Sequence, residues 1–372
     1  MNLESAVVHQ LDIPMDREYH IAGKADSTMH SILLVMETTD GIRGIGAADP
    51  ALGHSIPQTT EEIVTSLVEF ILPDVIDANP DNPNQLLELL AHYDQAENAR
   101  CAAEMAYIDL YCRQRGQSVS DLLGGRLRDT VPLNAWVGID TPDTMAEEAE
   151  HWNNRGFGSL KMKISGDKHR DAERIHAVCE RVGNEMGVRV DANEGYDDVD
   201  EAIEMARAIE GLPVSHLEQP ISRDDLGGLA KITAATSIDI MADESVQTVS
   251  DGYDILKRDA ADRLKFKILQ TGGILPVRKG LDMAAAANVK CVVGHGFCTS
   301  PAASAELQLA AAHGNIYGPL ETVGTLKMAD EPFDSSLSIK NGSISIPDKP
   351  GLGINVLDDE LYTFSTERYV IR

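Results

Sequence analysis

The sequence predicts an α/β fold, a closed barrel of parallel βα units preceded by a smaller α+β domain. Three observations predict it. From about residue 130, short β-rich runs alternate with helical stretches, eight runs in all at even spacing. Those runs are apolar except near their C-terminal ends, as strands buried on both faces should be. The first 128 residues obey a different pattern, an alternating hairpin followed by an Ala-rich helical stretch. At 372 residues the chain suits two domains or one large barrel with additions. The expected division is residues 1–128, then a barrel over 129–329, with about 330–372 returning to the first domain or sealing the barrel.

SAVVHQLDIP reads as a first strand, and SILLVMETTDGIRGIGAAD as a hairpin turning at Asp40-Gly41. Residues 58–124 have helical period. Within them ENARCAAEMAYIDLYCRQRG reads as an amphipathic helix stopped at Gly116, and a short helix ends at Gly124-Gly125. The barrel runs are VPLNAWVGI, SLKMKI, VRVDAN, SHLEQPI, DIMADE, RLKFKIL, CVVGHGF and IYGPLE. An open doubly wound sheet is the alternative, but it is usually announced by a Gly-rich phosphate loop after its first strand, and none is present. NGSISIPDKPGLGI, near the end, reads as strand and turn.

The net charge of -28 argues against nucleic acid as a partner, because phosphates need a basic surface. Such acidity fits a protein kept soluble in a salty cytoplasm, where self-repulsion is screened. No apolar run approaches the roughly 18 residues that span a membrane, and the first residues lack a basic segment followed by an apolar one. The expected location is the cytoplasm, with no membrane partner. Five scattered cysteines without a CxxC pair suit reduced thiols.

Chemistry in a barrel gathers at the C-terminal ends of its strands. Those ends carry Lys161 and Lys163, Asp191 and Asn193, Glu218, Asp243 and Glu244, Lys265 and Lys267, His295 and Glu321. From Asp191 to Glu218, Asp243 and Lys267 the steps are 27, 25 and 24 residues, one βα unit each. Adjacent strands thus present one acid apiece, and Asp191, Glu218 and Asp243 converge. Three buried carboxylates repel unless a counter-charge joins them. Oxygen-only ligands suit a hard divalent cation, Mg²⁺ with Mn²⁺ as the alternative. The competing reading assigns these acids to the general acidic surface, but each ends an apolar run, where surface charge has no reason to be. Lys163 and Lys267 lie on the strands flanking the acids. A neighbouring ammonium, Lys161 beside Lys163, and desolvation would lower a lysine pKa and suit it to act as a base. The competing reading makes these lysines structural counter-ions.

The run KMK, VDAN, LEQP, ADES and KFKILQTGGI resembles the enolase superfamily, and within it the muconate-lactonizing enzyme subgroup of the mandelate racemase/muconate lactonizing enzyme family. TTDGIRGIG and ARCAAEMAYIDLYCRQRG…DLLGG resemble the capping domain of that family. The resemblance implies a (β/α)₇β modified TIM barrel under an N-terminal α+β capping domain, with metal ligands Asp191, Glu218 and Asp243 and acid/base residues Lys163 and Lys267. It implies that Lys161 supports Lys163 and the substrate carboxylate, and that Glu244 lies near Lys267. A Lys base paired with Mg²⁺ is a known pattern of that superfamily. There are departures. The hairpin ends GIGAAD in place of a GEA-like turn, and His295 stands where the subgroup carries Glu. The mandelate racemase type pairs a His there with an Asp on strand six, where this chain has Lys267. The two strand-eight aspartates of dipeptide epimerases are replaced by LETVG.

The implied activity is Mg²⁺-dependent removal of the α-proton of a small-molecule carboxylate, giving an enediolate. A racemase, epimerase or cycloisomerase follows from two opposed lysines. Loss of a β-hydroxyl as water is the alternative, with His295 donating a proton to the leaving oxygen. A different metal-dependent barrel such as an aldolase and a non-catalytic binding barrel are the remaining rivals. Asn193, Glu321, and Lys24 and His54 from the lid segments are candidate substrate contacts. Barrels of this kind often associate, so a homo-oligomer is expected.

Overall fold

The computed structural model describes residues 2–21, 24–50, 58–334 and 337–372, except for the side chains of residues 20, 21 and 24. The chain opens with β1 (Leu3–Ile21), β2 (Lys24–Thr38) and β3 (Arg43–Ala48), a fully antiparallel sheet. The β2–β3 turn is the expected one, with Gly41 at φ 80°.

The helix Glu97–Gln114 lies across β3. Glycines permit this approach: a Cβ on Gly46 would stand 2.2 Å from the Ala102 carbonyl oxygen, and one on Gly44 2.4 Å from that of Ala106. The sequence reads this helix as amphipathic, and the structure corrects that reading. Residues Ala102–Leu110 are buried all round, because β3 covers one side and the short helix Ile268–Thr271, which follows Lys267, covers the other. Alanine suits a helix that must be thin in both directions.

The barrel begins after β4 (Thr130–Pro132). Its strands are β5 (Ala135–Val137), β6 (Ser159–Lys163), β7 (Gly187–Asp191), β8 (Val214–Glu218), β9 (Ile240–Ala242), β10 (Arg263–Phe266) and β11 (Lys290–Val293), all parallel and paired in chain order. The register sets Lys163 beside Asp191, and Asp191 beside Glu218. The eighth run, IYGPLE, is not a regular strand. It lies between β11 and the start of β5, joined by isolated bonds: Tyr317 N–H to the Cys291 carbonyl at 2.6 Å, and Asn134 N–H, just before β5, to the Leu320 carbonyl at 2.7 Å. Pro319 between them has no N–H to give a ladder.

After the barrel, β12 (Ile339–Lys340) and β13 (Ser343–Ser345) form a small sheet with β4. The strand β14 (Ser365–Ile371) then pairs antiparallel with β1, giving the first sheet the order β14-β1-β2-β3. Two ties fasten this sheet to the barrel mouth. Asp49, just past β3, accepts from Ser31 Oγ at 2.6 Å and from the Thr299 backbone at 2.8 Å. Pro14 and Asp16 of β1 bond the backbone of Ala329 and Lys327, each at 2.8 Å. All five cysteines are free and buried, and no helix among the described residues is long and apolar enough to cross a membrane.

Candidate active site

Alternation along β6 turns Leu160 and Met162 away from the barrel interior and Lys161 and Lys163 toward it. The two ammoniums converge on one carboxylate oxygen, Asp191 Oδ2, at 3.0 Å from Lys161 and 2.6 Å from Lys163. That shared anion is what allows two like charges side by side. Lys161 reaches deeper, to Glu218 at 3.2 Å and Glu321 at 2.6 Å. Burial works to lower its pKa, but Glu218 and Glu321 outweigh burial and hold it above the ordinary lysine range. Lys161 is therefore a fixed cation.

Across the barrel Lys265 mirrors it, 2.8 Å from Glu218, 3.1 Å from Asp243 and 2.8 Å from Glu321. Burial is again outweighed, here by Asp243 and Glu218, and its pKa is raised. Lys267 pairs with Asp243 at 2.6 Å. Lys163 and Lys267 thus stand on opposite flanks of Asp191, Glu218 and Asp243. Their exposure differs, the Lys163 side chain being 38% exposed and that of Lys267 8%.

The three carboxylates are fully buried or nearly so. Burial pushes all three up. For Asp191 the two β6 lysines reverse this, and for Asp243 Lys265 and Lys267 do, so both are depressed. Glu218, beside the Asp191 charge, is raised well above the carboxylate range and hydrogen-bonds Asp243. Asp243 Oδ1 is buried, and the group against it is the Lys267 ammonium at 2.6 Å. Three buried carboxylates in an all-oxygen donor set, with Glu218 raised by burial and by the Asp191 charge, are what a hard divalent cation would relieve, so these residues fit one. In the present arrangement no three His, Cys, Asp or Glu side chains among the described residues close to metal-binding spacing. The ammoniums of Lys161 and Lys265 stand among the acids, and binding requires the acids to draw in.

Two expected substrate contacts, Asn193 and Glu321, are engaged with protein groups. Asn193 accepts from Lys163 and donates to Glu244 at 2.9 Å, so both ends of its amide orient protein groups. Glu321 is buried between Lys161, Lys265 and Arg189, a counter-ion to the lysines and not a free contact. His295 sits at the mouth, its backbone N–H held by Glu306 at 3.3 Å. Burial and then Lys267 and Lys265 lower its ring pKa to about 3, so the imidazole is neutral and a poor acid. The Lys24 side chain and all of His54 lie outside the described residues.

Two groups escaped the sequence reading. Arg189 is buried and bonds the Pro319 carbonyl at 2.8 Å; its position two residues before Asp191 on the same strand face was the available signal. Lys327 lies beyond the last barrel run, and no spacing rule points to it.

Comparison with known proteins agrees with this geometry. The family model described as mandelate racemase/muconate lactonizing enzyme, N-terminal domain, matches residues 5–124, and that described as enolase C-terminal domain-like matches 144–360. The chain belongs to the mandelate racemase/muconate lactonizing enzyme family of the enolase superfamily. It is 30% identical over 373 residues to the N-succinyl-L-Arg/Lys racemase of Bacillus cereus, covering 100% of both chains. The crystal structure of that racemase superposes with a TM-score of 0.95 over 100% of each chain. The L-Ala-D/L-Glu epimerase of Bacillus subtilis is 31% identical over 350 residues, 93% of this chain and 94% of that protein. The structure of a dipeptide epimerase from Enterococcus faecalis complexed with Mg and L-Leu-L-Tyr is 26% identical, with a TM-score of 0.89 over 95% of this chain and 100% of that one. As a member of this family the chain is an enzyme, an isomerase.

Proposed function

We propose that this isomerase racemises or epimerises a carboxylate substrate by moving its α-proton between Lys163 and Lys267, and that the substrate is an N-acylated amino acid. The observation that carries the reading is the pair of lysines on opposite flanks of three buried carboxylates. One lysine in its free-amine form takes the proton from one face of the α-carbon. The other, as ammonium, returns a proton to the opposite face. Asp191 and Asn193 aim Lys163, and Asp243 aims Lys267. Lys161 and Lys265 remain charged and keep the carboxylates in position. Mg²⁺ or Mn²⁺ held by Asp191, Glu218 and Asp243 would supply positive charge beside the substrate carboxylate and favour the enediolate. The N-acyl substrate is suggested by the racemase from Bacillus cereus, which matches along its whole length. Dehydration is disfavoured by the neutral His295.

The test is α-proton exchange in D₂O with Mg²⁺ at high salt, followed by NMR on N-succinyl and N-acetyl amino acids. The expected result is loss of the α-proton signal with appearance of the other enantiomer. Lys163→Ala and Lys267→Ala should each slow racemisation by about 10²–10⁴-fold. Exchange surviving in the double variant would sink the two-lysine reading. Loss of water from N-acetylserine or N-acetylthreonine in the same set would redirect it to dehydration.

A further inference from the structure

Among the described residues, Lys327 is a buried cation that the chemistry above does not use and, unlike Arg189 with Glu321, it has no carboxylate partner. Lys327 is 4% exposed. Its ammonium bonds the carbonyl of Gly296 at 2.6 Å. Otherwise it is surrounded by rings: Phe297 with its centroid 3.7 Å away, Trp136 at 4.6 Å and Tyr19 at 5.5 Å. An ammonium has three N–H donors. Among the described residues only Gly296 accepts one, and no carboxylate lies within ion-pair reach. This is unusual in a chain with 60 acidic residues against 32 basic ones. The charges that act on Lys327 are mostly of its own sign. After burial, Lys163 is the largest influence lowering its pKa, to about 7, with Lys161 and Arg17 acting the same way and the Cys298 thiol opposing. A second polar group beside it is also unsatisfied: the Trp136 indole N–H is buried without a partner.

The position adds to this. Trp136 lies on β5, in register with Lys161 of β6. Gly296 and Phe297 follow β11 beside His295, and Tyr19 comes down from β1 of the capping sheet. Lys327 therefore closes the barrel mouth on the Lys163 side, between cap and strand ends. A buried, unpaired ammonium is costly unless something anionic completes it. Flat apolar walls with one cation and one indole donor suit a short aliphatic chain ending in a carboxylate.

We propose that Lys327 is the subsite for a second, distal carboxylate of the substrate, so that the site selects amino acids whose N-acyl chain is itself an acid. The assignment rests on the proposed function, since it presumes that the α-carboxylate end lies at Asp191, Glu218 and Asp243.

The test compares binding of N-succinylglycine, its distal methyl ester and N-acetylglycine to the Mg²⁺-loaded full chain by calorimetry, with wild type and Lys327→Met. A charge-assisted contact of this kind corresponds to about a 30-fold preference of wild type for the free succinyl acid over both neutral-ended compounds. In Lys327→Met that preference should collapse to about threefold or less. Should the variant fold poorly, the wild-type comparison of acid and ester still decides. Equal binding of acid and ester by wild type, or a variant that keeps the preference, would overturn the subsite. So would a variant that weakens all three compounds in proportion, which is the signature of a purely structural latch. Exchange of the glycine α-protons in the same samples reports the proton-transfer reading separately. A Lys327-dependent preference without exchange would refute that reading and leave the subsite. Exchange without the preference would do the reverse.

Discussion

Lys161 and Lys163 sit two residues apart on one strand face and end in different surroundings. Lys161 is locked among three carboxylates, whereas Lys163 shares one carboxylate and an amide and is open to solvent. Lys265 repeats the buried role from the far side, and that makes it the sharper probe. Replacing it by Met strips Glu218, Asp243 and Glu321 of a common partner. Lys265→Met is expected to cost about 3–5 kcal/mol in urea denaturation at fixed salt, the usual penalty for leaving buried charge unpaired. His295 gives the opposite kind of prediction. Its ring pKa lies below that of a free imidazole, at about 3, so the unfolded chain binds the extra proton between pH 3 and 6.5. Its contribution to stability is complete above pH 6.5 and lost as pH falls. The rate profile should show no limb from this residue between pH 5.5 and 7.5, and His295→Asn should leave the shape of the profile unchanged there. At this scale the sequence was informative where a polar side chain ended an apolar run. It was silent for Lys327, whose environment is assembled from β1, β5 and two loops far apart in the chain.

The helix Glu97–Gln114 shows how an element is misread when both of its faces are covered. Its alanines and cysteines carry no polar stripe to mark a solvent side, and the partner on the second side, Ile268–Thr271, is not visible from periodicity. Buried within it, Glu104 accepts the N–H groups of Leu275 and Ile274 at 2.8 and 2.9 Å, at the start of the next barrel helix. Burial raises its carboxyl to about 7, against the pull of those N–H groups. For an acid raised in the folded state, the unfolded chain ionises first. Stability is therefore lost as pH rises from 4.5 to 7 and is level above. Relative to Glu104→Gln, wild type should lose about 3 kcal/mol over that window, read from chemical denaturation at several pH values. Six of the seven regular barrel strands, β6–β11, were legible because each joins an apolar run to a polar end. The eighth was legible as a position but not as a strand, since Pro319 breaks its ladder and its bonds are divided between two edges.

For the whole molecule, the charge of -28 sets the terms on which everything else folds. Self-repulsion of that size is screened within about 3 Å at 1 M salt and reaches about 10 Å at 0.1 M. Melting temperature and activity are expected to rise together with KCl into the molar range, and full activity in dilute buffer would remove the reading of adaptation to a salty cytoplasm. That charge does not explain how the first sheet is completed. β1 lies between β2, its immediate successor, and β14, which is synthesised only after the entire barrel. While the chain is being made, the outer edge of β1 offers unpaired N–H and C=O groups from Ala6 to Leu11, where its later partner will bind. The nascent protein thus carries a sticky margin throughout its time on the ribosome. A segment ending before Ser365 keeps that margin permanently, and its tendency would be to borrow the missing strand from a neighbour.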